Sequence, residues 1–195
     1  AFGAITLAVA GLDAWTAVNV GKDASVARGP EYTAAFKAVA ASRDLARGSN
    51  VQDWNQATNM VITGKAGAQI MGDWAQGEFA VAGQVEGTDY SCLPGLGLNA
   101  VLDTGGDAFY FPVNDDPAIT AAQKELAALL ISPEVQVSFN LAKGSLPVRG
   151  DIDMSSANGC MQKGLEILAN GGVLPSGDIS FSQDTTLQVE DLMAQ

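Results

Sequence analysis

The chain has 195 residues, 47% of them hydrophobic, enough for one generous domain or two small ones with a real core. Ten Lys and Arg stand against 22 Asp and Glu, a formal charge of -12 that repels a phosphate backbone and argues against nucleic acid as a partner. No histidine occurs, which removes Ser-His-Asp and Cys-His catalysis, HExxH zinc sites and imidazole acid-base chemistry together and makes an enzyme a poor expectation.

No apolar run approaches the roughly 18 to 20 residues that cross a bilayer, and the longest mild one, Ala1 to Leu12, lacks the basic start of a signal peptide. The chain is therefore expected to be mature, trimmed or a fragment. Its opening "GAITLAVAG" carries β-branched and apolar residues between glycines, which predicts a buried strand reaching a turn at Gly11. "LDAWTAVNV" follows as a short helix with Asp13 at its start. From Pro30 to Arg47, Tyr32, Phe36, Val39 and Leu45 recur at helical spacing, with proline at the first turn and Gly48 past the end.

Val51, Trp54, Met60 and Val61 predict another helix, ended by Gly64, with Trp54 in the core. "AGAQIM" reads as a short buried strand, and Trp74 to Val81 as helix. "DYSCLPGLG" is a strand running into a Pro-Gly loop, and "DAFYFPV" is the most strand-like run of all. Asp116 before Pro117 starts a helix with Ile119, Leu126, Leu129 and Leu130 as its buried stripe. "SPE" starts a second one with serine at the cap, and the two form a helical hairpin. "SSANGCMQKGLEILAN" and "DTTLQVEDLMAQ" supply two more helices, the last running uncapped into the C-terminus, which suggests truncation. Strands and helices mixed without repeat define an α/β class.

Chemistry concentrates in "AGAQIMGDWAQGEFA", where Asp73 and Trp74 adjoin. An indole face stacks on the C-H face of a sugar ring, and a carboxylate accepts neighbouring sugar hydroxyls. The other reading of the same residues makes Trp74 core and Asp73 a cap bonded to Ala75 or Gln76. Cys92 and Cys160 are too far apart for a CxxC motif and are either two buried thiols or one disulfide.

"GKAGAQIMGDWAQGEF", "DYSCLPGLG", "DAFYFP" and "ISPEVQVSFNLAKGSLPVRGDID", in that order, resemble the extracellular solute-binding proteins of bacterial ABC sugar importers, most of all the periplasmic glucose and monosaccharide branch. The likeness runs from about Gly3 to Gln195 and is strongest from Trp54 to Asp153. It implies a type II periplasmic-binding-protein lobe, short mixed strands flanked by helices, that holds a sugar and delivers it to an ABC permease. It implies neither catalysis nor a cofactor. Trp15, Asp73 and Trp74 fall where family members contact sugar, with Asp107 and Lys143 at further positions lining the cleft; the family residue at or beside Lys143 can be histidine. For each there is a plainer role: Trp15 as a core anchor, Asp107 as an interior cap or ion pair, Lys143 as a solvated charge. The oxidising periplasm that the resemblance implies favours a Cys92 to Cys160 disulfide.

Family members are about twice as long, so the resemblance casts residues 1–110 as the sugar-binding lobe, 111–150 as a hairpin belonging to the other lobe or hinge, and 151–195 as C-terminal helices. The N-terminal part of the first lobe is then absent, and self-association or a missing partner chain follows from exposed cleft surface. Two rivals stand beside this reading. One is a glycan-processing enzyme with Asp73 and either Glu78 or Asp107 as a carboxylate pair roughly 5 to 10 Å apart. The other is a structural fragment whose cleft residues no longer bind.

Overall fold

The computed structural model describes residues 2–103, 105–174 and 182–194. The described residues form helices and no sheet, which corrects the α/β expectation: the chain does not show a lobe of short strands flanked by helices. Two compact units share the chain. Unit 1 takes residues 1–50, 93–105 and 167–195; unit 2 takes residues 51–92 and 106–166.

Unit 1 is built on α1 (Phe2–Asn19), the four-residue α2 (Ala24–Ala27) and α3 (Pro30–Ala46). The segment expected to be a strand is the first half of α1. Its four consecutive buried residues Ile5, Thr6, Leu7 and Ala8 fit either a strand or a helix, because a short apolar run carries no period. The helix takes them with its backbone satisfied from within, and the Thr6 hydroxyl adds a bond to the Phe2 carbonyl at 2.9 Å. Gly11, at φ 82 and ψ 166, breaks α1 where the turn was expected, a conformation that only glycine adopts without strain. The Ala8 carbonyl accepts from Asn99 Nδ2 at 2.6 Å, so the break is closed by a side chain 91 residues away.

α3 begins on Pro30 as expected and buries Tyr32, Ala35 and Val39, one helical face, against α1. Phe36 and Leu45, expected on that face, are 49% and 91% exposed. Asn19 locks the corner between the helices by donating to the Tyr32 hydroxyl and the Trp15 carbonyl. Contrary to the sequence reading, α1 is by length and composition apolar enough to span a membrane, but 28% of it is buried within the fold. Residues Leu102 and Val173 make an isolated parallel bridge, two main-chain bonds of 2.8 and 2.9 Å that take the place of a sheet. α9 (Gln183–Ala194) also belongs to this unit.

Unit 2 contains α4 (Trp54–Ile62), a 3-10 turn at Asp73–Ala75 leading into α5 (Gln76–Val81), α6 (Pro117–Leu130), α7 (Pro133–Lys143) and α8 (Gly159–Ala169), whose last turn is counted with unit 1. Local chemistry sets the helix ends: Asp116 accepts from Ala118 N-H at 2.8 Å, Ser132 caps through Val135, and Gly144 closes α7 at φ 81. The expected strand "AGAQIM" is instead tied to α4, where Gln69 donates to the Trp54 carbonyl and lies 2.7 Å from the buried Thr58 hydroxyl. Trp54 itself is 41% exposed rather than core.

"DYSCLPGLG" forms a 3-10 turn at Pro94–Gly97, and "DAFYFPV" has no ladder partner among the described residues. The stripe of α6 is uncovered, with Ile119, Leu126 and Leu129 about half exposed. Strands need neighbours to exist at all, and a periodic face says nothing about what covers it.

Cys92 and Cys160 form a disulfide across a separation of 68 residues, tying the end of one segment of unit 2 to the start of α8 in the other. The core of this unit is small, namely Ala75, Phe79, Met154, Cys160 and Met161, so a covalent closure matters to it. Loop closure of that length is worth up to about 4 kcal/mol. Reduction, or Cys92→Ser with Cys160→Ser, is expected to lower stability by about 3 to 4 kcal/mol in urea titrations read by circular dichroism. Burial pushes the Tyr32 phenol up from its ordinary value, the Asn19 hydrogen bond opposing it. The folded state therefore favours the protonated phenol: its contribution is intact below the unfolded value near 10 and is lost as pH rises through the folded value. Melting temperatures measured from pH 9 upward should fall, and Tyr32→Phe should flatten that fall.

Candidate functional site

The candidate residues of unit 2 meet where the start of α5 abuts the end of α7. Gln76, 6% exposed, donates its amide N-H to the Gly144 carbonyl at 2.7 Å and accepts from Asn158 Nδ2 at 2.9 Å. Asn158 in turn accepts from Met161 N-H at 3.0 Å, capping the first turn of α8. The helices meet so tightly that a Cβ on Gly144 would lie 2.4 Å from that of Gln76. No sequence pattern announces Gln76, a polar residue in a first helical turn whose partners are 68 and 82 residues away.

Asp73 lies in the turn just ahead. Its carboxylate oxygens accept from the Ser145 hydroxyl and the Leu146 N-H, both at 3.2 Å, and no side-chain cap of the following helix is made. Asp73 is therefore a tertiary clip between α5 and the loop after α7. Two of a carboxylate's roughly four acceptor positions remain unspent.

Trp74 is 40% exposed, and its ring lies across the backbone of Gly72, where an added Cβ would fall 2.1 to 2.5 Å from ring carbons. Gly72 is thus glycine because the indole occupies its side-chain space.

Lys143, the last residue of α7, lies 2.9 Å from Asp107 Oδ2 and 5.6 Å from the centre of the Phe139 ring. The ring anchors the ammonium while Asp107, 81% exposed, pairs with it from the extended segment. An ion pair that exposed contributes little to stability. Asp73, Trp74, Lys143 and Asp107, spread over 71 positions of the sequence, thus all attach to the α5 and α7 ends. Trp15 stands on α1 in unit 1, half-buried, with its carbonyl bonded to Asn19. Glu78 is exposed on α5 and has no ion pair among the described residues. Among the described residues no group of acidic or cysteine side chains is placed to hold a metal ion.

No protein-family model matches the chain. It is 42% identical over 119 residues to a probable sugar-binding periplasmic protein of Rhizobium meliloti (strain 1021), a stretch covering 60% of this chain and 28% of that protein. A probable sugar-binding periplasmic protein of Mesorhizobium japonicum is 43% identical over 124 residues, 62% of this chain and 29% of its own. An uncharacterized ABC transporter extracellular-binding protein of Pyrococcus horikoshii is 35% identical over 99 residues, 50% of this chain and 21% of its own. The chain is thus partially homologous to these binding proteins, and the matched stretch spans less than a third of each.

Gly72→Ala should displace the indole of Trp74, changing the near-ultraviolet circular dichroism while the far-ultraviolet spectrum stays in place. Asp73→Ala leaves the Leu146 N-H and the Ser145 hydroxyl without their acceptor and is expected to cost about 1 to 2 kcal/mol in urea unfolding.

Proposed function

We propose that the chain supplies sugar-contacting surface of the solute-binding component of a bacterial ABC importer, working in the periplasm. It holds a monosaccharide, with glucose the first candidate, for delivery to membrane permease subunits, and it performs no catalysis. The observation that carries this reading is an exposed indole plate fixed on Gly72 and flanked by a carboxylate with free acceptor positions. The plate offers stacking to the C-H face of a pyranose, and Asp73 offers acceptors to its hydroxyls. The partial homology to probable sugar-binding periplasmic proteins supports the same class of ligand. Trp15, Asp107 and Lys143 are the further candidate contacts.

The carboxylate-pair enzyme has less to stand on. Asp107 is paired with Lys143, and the relatives that the chain matches are named as binding proteins. Sites that bury a ligand on several sides bind it tightly, and one wall binds it weakly, so an affinity on the order of millimolar is expected for this chain.

Titration of protein labelled with ¹⁵N at tryptophan, with glucose, galactose and xylose, reads the three indole N-H groups separately after assignment by Trp→Phe substitution. A saturable shift of Trp74 by at least one sugar is expected. Silence of Trp74 toward every sugar, here and in a full-length importer binding protein carrying this segment, would leave a structural module and discard the reading.

A further inference from the structure

The disulfide of unit 2 has two unlike ends. Cys160 belongs to the core, 6% exposed, and stands in the first turn of the 11-residue α8. Cys92 is half-buried and lies between Ser91, which is exposed, and Leu93, which is 72% exposed. An external thiolate attacks only a sulfur that it can reach, which favours Cys92. Leaving-group chemistry points the same way. Attack on Cys92 expels the sulfur of Cys160 as a thiolate, and a thiolate at a helix N-terminus is stabilised by the main-chain N-H groups there and leaves faster. Lys163 stands three residues on along the same face of α8, and its ammonium donates to the Cys92 carbonyl at 3.2 Å, adding a positive charge beside the pair. The Glu86 carboxylate opposes that charge, but it is turned to Gly159 N-H at 3.0 Å. Attack on Cys160 would instead expel the sulfur of Cys92, which stands in no helix.

The two cysteines are also held together by more than their covalent bond. Residues 85–92 close on themselves, with Asp89 N-H on the Val85 carbonyl and Gly87 N-H on the Tyr90 carbonyl, both at 2.8 Å. The Tyr90 ring stacks on Phe79 with 4.3 Å between centres, which seats that turn on α5. Glu86 and Lys163 then tie it to α8 on either side of Cys160. Opening the disulfide therefore leaves the two sulfurs beside each other, ready to close again.

We propose that this disulfide is a thiol-disulfide exchange site in the folded protein, at which Cys92 carries the mixed disulfide with an external thiol and Cys160 is the resolving sulfur. The external thiolate forms a bond to Cys92 Sγ as the bond between the two cysteines breaks, and the electron pair of that bond leaves on Cys160. A second thiol then removes the first from Cys92 as their common disulfide, so two thiols are oxidised while the protein disulfide is reduced. Closure runs the same path backwards, Cys160 attacking Cys92 and expelling the thiol. The inference stands on the disulfide and its surroundings alone and does not need the sugar reading.

The test uses the unsubstituted, folded chain. It is incubated with 2-mercaptoethanol in mild alkali, quenched with N-ethylmaleimide in weak acid and digested with trypsin, which leaves Cys92 in the peptide 66–124 and Cys160 in the peptide 150–163. Mass spectrometry is expected to find about tenfold or more of the mercaptoethanol adduct on the Cys92 peptide, with maleimide on the Cys160 peptide. The rate should stay level in urea up to the unfolding transition seen by circular dichroism, because exchange does not wait for the fold to open. Adduct shared evenly between the peptides, adduct on Cys160, or exchange that rises with urea only as the helical signal falls, overturns the proposal.

Discussion

The buried amide of Gln76 is the joint on which unit 2 depends. One side chain holds the carbonyl that ends α7 and the asparagine that starts α8, the first bond buried and the second part-buried. A buried amide that loses such partners costs more than the bonds contribute when made, so the geometry is tolerant of little else at this position. Asp73 repeats the logic three residues earlier by clipping its turn to Ser145 and Leu146. The placement of Trp74 follows: it lies between the two clips, above a glycine that leaves room for its ring. The Glu86 carboxylate, which accepts from Gly159 N-H at 3.0 Å, and the disulfide hold the other side of α8.

Unit 1 solves a different problem with one residue. An apolar helix that must bend frees main-chain carbonyls, and a buried carbonyl without a donor is costly. Gly11 allows the bend, and Asn99 supplies a donor to the Ala8 carbonyl. The result is a helix that keeps its apolar side on Tyr32, Ala35 and Val39 although its axis is interrupted.

What was legible in the sequence was local. Asp116 with Pro117, Ser132 with Pro133, and Pro30 announce helix starts because what they act on lies within two or three residues. "GAITLAVAG", "AGAQIM", "DYSCLPGLG" and "DAFYFPV" misled because β-propensity records a fit to a pleated surface, and that surface has to come from elsewhere. Gln69 was free to bond α4 once no ladder claimed its segment. The adjacency of Asp73 and Trp74 was visible directly, whereas the arrival of Lys143 and Asp107 beside the same helix ends came through resemblance, no spacing rule linking positions that far apart.

The uncovered run from Ala108 to Val113 has its own consequence. Phe109, Tyr110 and Val113 are 63%, 89% and 100% exposed on backbone that pairs with no strand among the described residues. Short aromatic stretches of this kind stack into cross-β fibrils when copies meet, and natural chains restrain them with charged and proline gatekeepers. Asp107 and Pro112 occupy those guarding positions here, one repelling like copies and the other lacking the N-H that a growing ladder needs. Two residues that contribute almost nothing to the folded core thus work against association of this segment.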